Sequence, residues 1–178
     1  MKCILTMEGE YIVHLDYKSE FINYLKGTGM VYVTRKSHFS ASHRLFNPTF
    51  SDEKNDAIFD KCNNINGHGH NYVLEVTVKG SPNPETGYVI DLRQLRDIIE
   101  SEIIDKVDHK HLNYDVPFLQ GIIPTAENLA IVFWSILINS IPTGILYSIK
   151  LFESDNNFVE YFGEPVSIPN YGNGAVLS

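Results

Sequence analysis

The sequence is poor in cysteine, in basic residues and in long apolar runs. Only two of its 178 residues are cysteines, Cys3 and Cys62, so a framework of several disulfides is excluded. Lysine and arginine number 14 against 22 acidic residues, and the net charge of −8 argues against a nucleic-acid-binding protein. No segment approaches the ~20 apolar residues of a membrane span. We therefore expect a cytoplasmic protein whose partners include neither nucleic acid nor a membrane.

The composition is that of an ordinary globular chain. Hydrophobic residues make up 43% and charged residues 20%, and the length suits a single domain with a substantial core. Near the start, alternation from Tyr11 to Tyr17 predicts a strand, and a short helix is expected from Ser19. The sequence KGTG then interrupts the pattern before a clearer one begins at Val31.

The later apolar pattern predicts an α+β fold. Two strands come first, Val31 to Phe39 and GHGHNYVLEVTVKG, and alternate residues from His68 to Val78 share one face of the second strand. Two helices follow, one capped by Asp91 and one beginning at Thr125. The strands LYSIKLFE and FVEYFG close the pattern, joined by a turn at SDNN. This order, β-β-α-α-β-β, predicts an antiparallel four-stranded sheet with both helices on one face.

Histidines in KCNNINGHGHNY suggest a metal site. His68 and His70 lie two residues apart on a predicted strand, so both imidazoles project from the same face. His43, in SASHRL near the end of the neighbouring strand, is the best candidate for a third ligand. Three neutral imidazoles leave one tetrahedral position open, as in catalytic zinc sites. The alternative is that these histidines are hydrogen-bonded core or surface residues.

Cys62 precedes this histidine pair by six residues and allows three interpretations. First, it could be a fourth zinc ligand, which would make the site structural. Second, it could be a small hydrophobic residue buried in the core. Third, it could be a catalytic base whose thiolate form is stabilised. The polar residues around it argue against burial in a core. The sequence alone leaves the ligand and catalytic interpretations open.

Two further acidic positions carry possible chemistry. Asp108 is adjacent to His109 in the segment DHKHLN, and an aspartate that holds an imidazole in one tautomer supports proton transfer. The alternative is a solvated loop. Glu153 ends an apolar strand, and its carboxylate could accept two N–H donors from the edge of a guanidine-like ring. The alternative is that Glu153 is a solvated charge at the end of the strand.

The motifs taken together resemble the 6-pyruvoyl-tetrahydropterin synthase family, which is related to the 6-carboxy-tetrahydropterin synthases. FSASHRL, KCNNINGHGHNY, TGYVIDL, VDHKHLN, DVPF, TAENLA and FESDNN match the family pattern in order, from about Val31 to Gly163. The resemblance implies a domain over 31–163, between an N-terminal extension over 1–30 and a C-terminal tail over 164–178. It also implies the tunnelling fold, in which three open sheets join into a barrel and two such rings form a hexamer, a dimer of trimers.

The resemblance also implies roles for individual residues. The zinc ligands would be His43, His68 and His70. The catalytic base would be Cys62, with Asp108 and His109 completing a proton-transfer group from a neighbouring subunit. The pterin ring would be anchored by Glu153 with help from Thr125 and Glu127.

The implied reaction converts 7,8-dihydroneopterin triphosphate to 6-pyruvoyl-tetrahydropterin with loss of triphosphate, in tetrahydrobiopterin biosynthesis. The implied cofactor is zinc, and magnesium accompanying the triphosphate is a second candidate. The 6-carboxy-tetrahydropterin synthases of the queuosine pathway are the alternative within the family, and the long CNNINGHGH spacing favours the pyruvoyl branch. A non-catalytic zinc-bound oligomer is the alternative outside it. The chain departs from the family pattern at Ala126, His111 and Ser154, none of which removes an implied site residue.

Overall fold

The computed structural model describes residues 29–172 of the chain. The predicted strand from Tyr11 to Tyr17 and the helix from Ser19 lie outside the described residues, as does most of the predicted N-terminal extension. Among the described residues, no helix is long and apolar enough to cross a membrane.

Two long strands form the centre of the fold. Strand β1, Val31–His43, and strand β2, His68–Gly80, pair antiparallel over their whole length, from Val31 opposite Gly80 to His43 opposite His68. Both strands alternate between buried and accessible residues over most of their length, as expected for a sheet with one face in the core. This register places the end of β1 beside the start of β2.

Within residues 29–172 the sheet has five strands, so the prediction of four strands is corrected. Strand β3, Lys110–His111, pairs parallel with β1, while β4, Ile145–Phe152, and β5, Phe158–Tyr161, continue the sheet antiparallel from β2. The order is β3-β1-β2-β4-β5. The four long strands pair antiparallel as predicted, and the short β3 makes the open sheet mixed.

The predicted helices are present, and a third was missed. Helix α2, Leu92–Ile99, is capped by Asp91 and continues through a π-helical segment, Glu100–Ile104, to a last α-helical turn, Asp105–Val107. Helix α3, Ala126–Leu137, was predicted to begin at Thr125, and this residue caps it. The missed helix, α1, spans Asp52–Phe59 between β1 and β2 and leads into a 3₁₀ turn at Asp60–Asn63.

The core lies between one face of the sheet and the helices. Its β2 members are alternate residues of one face, and the helices contribute fully buried side chains such as Leu95, Ile99, Leu129 and Phe133. The opposite sheet face carries polar pairs, including the ion pair of Lys36 with Glu75 at 2.8 Å. The histidines at the start of β2 lie on the same face as the core residues of that strand.

Candidate metal centre and catalytic group

Three imidazoles meet at the end of the β1–β2 pair. His43 lies directly opposite His68, and Ala41 opposite His70, so the antiparallel register brings the three side chains together on one face. One ligand nitrogen from each histidine lies within 4.8 Å of the others. The three predicted metal ligands are therefore brought together by the fold.

The spacing of the imidazoles suits a single metal ion. Nε2 of His43 lies 3.2 Å from Nε2 of His68, close to the roughly 3.3 Å that separates two nitrogens bound to one tetrahedral zinc at about 2.0–2.1 Å. Nε2 of His70 is buried and has no hydrogen-bond partner among the described residues. A buried nitrogen that faces two other imidazoles and has no hydrogen-bond partner is suited to bind a cation.

His43 is held in the tautomer that a metal ligand requires. Its Nδ1 lies 2.8 Å from the carbonyl oxygen of Pro124, so Nδ1–H donates and the Nε2 lone pair faces the other histidines. Burial, together with His68 and His70, lowers the pKa of His43 from 6.5 to about 4. His43 therefore stays neutral at physiological pH. Burial also lowers the pKa of His70.

The structure brings the Glu153 carboxylate next to the imidazoles of His43 and His70. This residue follows the last residue of β4, and its Oε1 lies 3.6 Å from Nε2 of His43 and 3.8 Å from Nε2 of His70. Its backbone N–H donates to Asn157 at 3.0 Å within the β4–β5 turn. The carboxylate thus faces the ring nitrogens of His43 and His70 and is within reach of a ligand bound beside them.

Cys62 lies in the 3₁₀ turn after α1, and two contacts tie this turn to the chain after His43. The Cys62 carbonyl accepts from the N–H of Leu45 at 2.8 Å. Arg44 Nε donates to both oxygens of Asn63, each at 3.0 Å. The Cys62 side chain is half-buried, which excludes the interpretation of a fully buried core residue.

The protonation of Cys62 differs from the expectation of a stabilised thiolate. Burial, then the carboxylates of Glu153 and Asp60, raise the pKa of the Cys62 thiol. Lys61 does not offset these effects. A thiolate at this position therefore needs a cation close by, and the three imidazoles provide a place for one.

Asp108 and His109 form the predicted pair. The carboxylate accepts from the N–H of Ser40 at 2.8 Å, and its other oxygen lies 2.9 Å from Nδ1 of His109. His109 has a φ of 56°, and this left-handed conformation lets adjacent side chains meet. The Ser40 hydrogen bond lowers the pKa of Asp108, with His109 contributing less, so the carboxylate is charged near neutral pH.

The structure places His109 and one of the three imidazoles at the same cavity. His109 lines an open cavity of about 510 Å³ together with Ser40, Asn71, His70 and His111. Ser40 and Asn71 alternate with the imidazole positions along their strands, so residues from both faces of the sheet line this cavity. Cys62 is not among its lining residues.

The other predicted residues lie in the first turn of α3. Thr125 is half-buried and caps the helix by accepting from the N–H of Asn128 at 3.3 Å. Glu127 is exposed. In residues 29–172, neither side chain forms a hydrogen bond or ion pair with the imidazoles, but the carbonyl of the residue before Thr125, Pro124, accepts from His43.

Sequence reasoning missed two groups around the site. They are the carbonyl of Pro124 and the hydroxyl of Tyr72, which lies 3.3 Å from His43 Nδ1. Tyr72 could have been found, because it follows His70 by two residues on the same face. A backbone carbonyl leaves no signal in the sequence.

The fold and the site define an α+β protein with a three-histidine group suited to a metal ion. Residues 32–164 match the sequence model of 6-pyruvoyl tetrahydropterin synthase. The chain is 48% identical over 132 residues to 6-pyruvoyl tetrahydrobiopterin synthase of Homo sapiens, covering 74% of this chain and 91% of the human protein. It is 46% identical over 134 residues to the protein of that name from Dictyostelium discoideum, covering 75% and 97%.

A solved structure agrees with these relatives. The 6-pyruvoyl tetrahydropterin synthase of Caenorhabditis elegans superposes with a TM-score of 0.73 at 39% identity, covering 76% of this chain and 97% of that one. The chain therefore belongs to the 6-pyruvoyl tetrahydropterin synthase family, which confirms the resemblance drawn from its motifs.

Proposed function

We propose that this protein is a zinc-dependent carbon–oxygen lyase that converts 7,8-dihydroneopterin triphosphate to 6-pyruvoyl-tetrahydropterin and triphosphate, a step of tetrahydrobiopterin biosynthesis. The observation that carries the proposal is the convergence of three imidazoles and the Glu153 carboxylate at one end of the sheet, with the half-buried Cys62 thiol close enough for that carboxylate to raise its pKa. Family membership and the names of the relatives supply the substrate and the product.

In this proposal His43, His68 and His70 hold the zinc ion. The fit rests on the spacing of their Nε2 atoms and on the neutral state of His43. The bound zinc would act as a Lewis acid on the substrate side-chain oxygens, which makes the neighbouring carbon–hydrogen bonds more acidic. Pro124 keeps His43 in the ligating tautomer through its carbonyl.

Cys62 is the proposed base. Burial and the carboxylates of Glu153 and Asp60 raise the pKa of its thiol, and the positive charge of a zinc ion held by the imidazoles would favour the thiolate. It then takes a proton from the substrate side chain, and the elimination breaks the carbon–oxygen bond to triphosphate. Tautomerisation within the side chain completes the internal redox change, so no external reductant is needed.

Glu153 is the proposed anchor for the pterin ring, whose amino and ring N–H groups form a paired donor edge. A carboxylate accepts two such donors in parallel. Its position beside His43 and His70 would hold the substrate side chain at the zinc. Thr125 and Glu127, at the start of α3, would complete the pocket wall.

The proposal requires a second subunit. Asp108 and His109 directly precede β3, on the edge of β1 away from β2, and in this proposal they serve the site of a neighbouring subunit. The open sheet provides edges for this assembly, because among residues 29–172 β5 ends it on one side and β3 covers only two residues of β1 on the other. Three sheets joined at these edges would form the barrel of the tunnelling fold, and two rings the hexamer.

Release of triphosphate tests the metal dependence of this chemistry. Zinc-loaded protein, with and without magnesium, is incubated with 7,8-dihydroneopterin triphosphate, and inorganic triphosphate is measured over time. His43→Ala should abolish both zinc binding and release. His38→Ala is the matched control, since His38 lies on the same strand but is exposed on the opposite face. Release by His43→Ala at the wild-type rate would overturn the proposal.

A further inference from the structure

The chain beyond the matched family region packs against the loop that precedes α3. Residues 165–172, here called the C-terminal strap, follow the matched range, which ends at 164. The strap has no helix or strand, yet Ile168 packs against the core. The backbone N–H of Tyr171 donates to the carbonyl of Gly121 at 2.7 Å. The strap is therefore fixed on the protein by specific contacts.

The strap packs closely against the loop that precedes α3. Gly121 has a φ of 77°, and a methyl group on it would overlap Asn170 and the backbone of Gly172. Only a residue without a side chain lets the strap approach this closely. Ile122, the next residue of the loop, is buried.

Tyr171 also contacts the segment that follows β1. Its hydroxyl accepts from Nδ2 of Asn47 at 3.1 Å. Asn47 is only 7% exposed, and its backbone N–H donates to Oδ1 of Asn55 in α1 at 2.8 Å. Tyr171 thus joins the loop before α3 to a buried polar group at the start of the α1 region.

Both of these segments position His43. The loop continues from Gly121 to Pro124, whose carbonyl orients the His43 imidazole at 2.8 Å. Asn47 lies four residues after His43 on the same stretch of chain. Tyr171 therefore connects the segment that follows His43 to the loop whose Pro124 carbonyl fixes the tautomer of His43.

We propose that the C-terminal strap positions the metal ligand His43, and that Tyr171 is its positioning residue. The inference rests on the proposed role of His43 as a metal ligand. Tyr171 acts through the loop 121–124 and through Asn47, and it needs no contact with substrate or metal. Fixing both segments keeps the Pro124 carbonyl in place, so the imidazole presents Nε2 without reorganising when zinc binds.

Zinc affinity and hydrogen exchange test this role in the full-length chain. Three variants are compared with the wild type: Tyr171→Ala, Tyr171→Phe and, as matched control, Tyr88→Ala, a tyrosine that is 60% exposed in a turn. Zinc affinity is measured by competition with a chromophoric chelator. Deuterium uptake of the segment 119–129 is measured by mass spectrometry on zinc-free protein, and thermal unfolding of each variant checks the fold.

Tyr171→Ala should bind zinc about tenfold more weakly, the lower end of the effect of removing a partner that orients a ligand. It should also speed exchange in 119–129. Tyr171→Phe, which loses only the Asn47 hydrogen bond, should show a smaller change, and Tyr88→Ala none. A role confined to general stability would lower the melting temperature and leave the zinc affinity of folded protein unchanged.

Unchanged zinc affinity in folded Tyr171→Ala would overturn the inference. If that variant does not fold, wild-type affinity and wild-type exchange in Tyr171→Phe would overturn it instead. Failure of the wild type to bind zinc would contradict the proposed function, a result that is distinguishable because it does not depend on the variants.

Discussion

Replacing Gly67 with alanine tests how the turn before His68 is built. Gly67 has a φ of 69°, in the left-handed region, where a side chain costs roughly 1–2 kcal/mol in backbone conformation. A methyl group there would also lie 2.8 Å from the backbone oxygen of His43 and 3.0 Å from Nε2 of His111. The nearer of these atoms belongs to the backbone at the end of β1 and cannot swing aside.

The two costs add to a measurable loss of stability. Overpacking against a well-packed group typically costs a further 1–3 kcal/mol, roughly, so we expect Gly67→Ala to lose roughly 2–5 kcal/mol in total. In a chain of this size 1 kcal/mol lowers Tm by roughly 2–4 °C. Because the backbone carrying His43 must move, zinc binding should weaken as well.

Gly87→Ala is the matched control. Gly87 has a φ of 75°, and a methyl group on it would meet nothing within 4 Å. This variant should show only the conformational cost of roughly 1–2 kcal/mol and wild-type zinc affinity. Thermal unfolding of zinc-free protein, followed by circular dichroism, and chelator competition measure both quantities. Equal losses of stability in the two variants, or wild-type zinc affinity in Gly67→Ala, would refute the reasoning.

Three further predictions concern the chemistry. Cys62→Ala should keep its zinc, measured by zinc analysis, and lose about 10²–10⁴-fold in kcat, measured by triphosphate release. Loss of the zinc in this variant would show that Cys62 is a ligand. Asp108→Asn should keep its zinc but lower kcat about 10²-fold or more. The reason is that the amide lacks the negative charge that orients and stabilises the His109 imidazolium. An unchanged kcat would remove this pair from the mechanism. In zinc-free protein, His43 has a pKa of about 4 when folded and 6.5 when unfolded. The unfolded state therefore binds more protons between these values, so stability falls as the pH drops from 6.5 to 4, by up to about 3 kcal/mol. His43→Gln should flatten the curve of Tm against pH in that window, and an unaltered curve would contradict the assignment.

The features that could be predicted from the sequence are those set by local periodicity and capping. His68 and His70 share a face because side chains alternate along a strand, and the structure places them together. Asp91 and Thr125 each precede an amphipathic or apolar helical segment, and both cap helices. The pairing of Asp108 with His109 followed from their adjacency in a loop, although the left-handed backbone that permits it was not foreseen.

The features that were missed depend on distant backbone groups or on segments without a pattern. Strand β3 has two residues, too few to show alternation. Helix α1 is polar on most of its surface and buries only Asn55, so no apolar stripe marks it. The carbonyl of Pro124 contacts His43 across 81 positions of the chain, and no side-chain pattern encodes such a contact. The strap contacts of Tyr171 are unpredictable for the same reason.

Product identification tests the central claim most directly. Purified zinc-loaded protein is incubated with 7,8-dihydroneopterin triphosphate, and the pterin products are identified by mass spectrometry, with Cys62→Ala as the control. The account predicts 6-pyruvoyl-tetrahydropterin together with triphosphate from the wild type and neither from the variant. A 6-carboxy product would place the chain in the related branch of the family. No conversion by zinc-loaded, oligomeric protein would contradict the account.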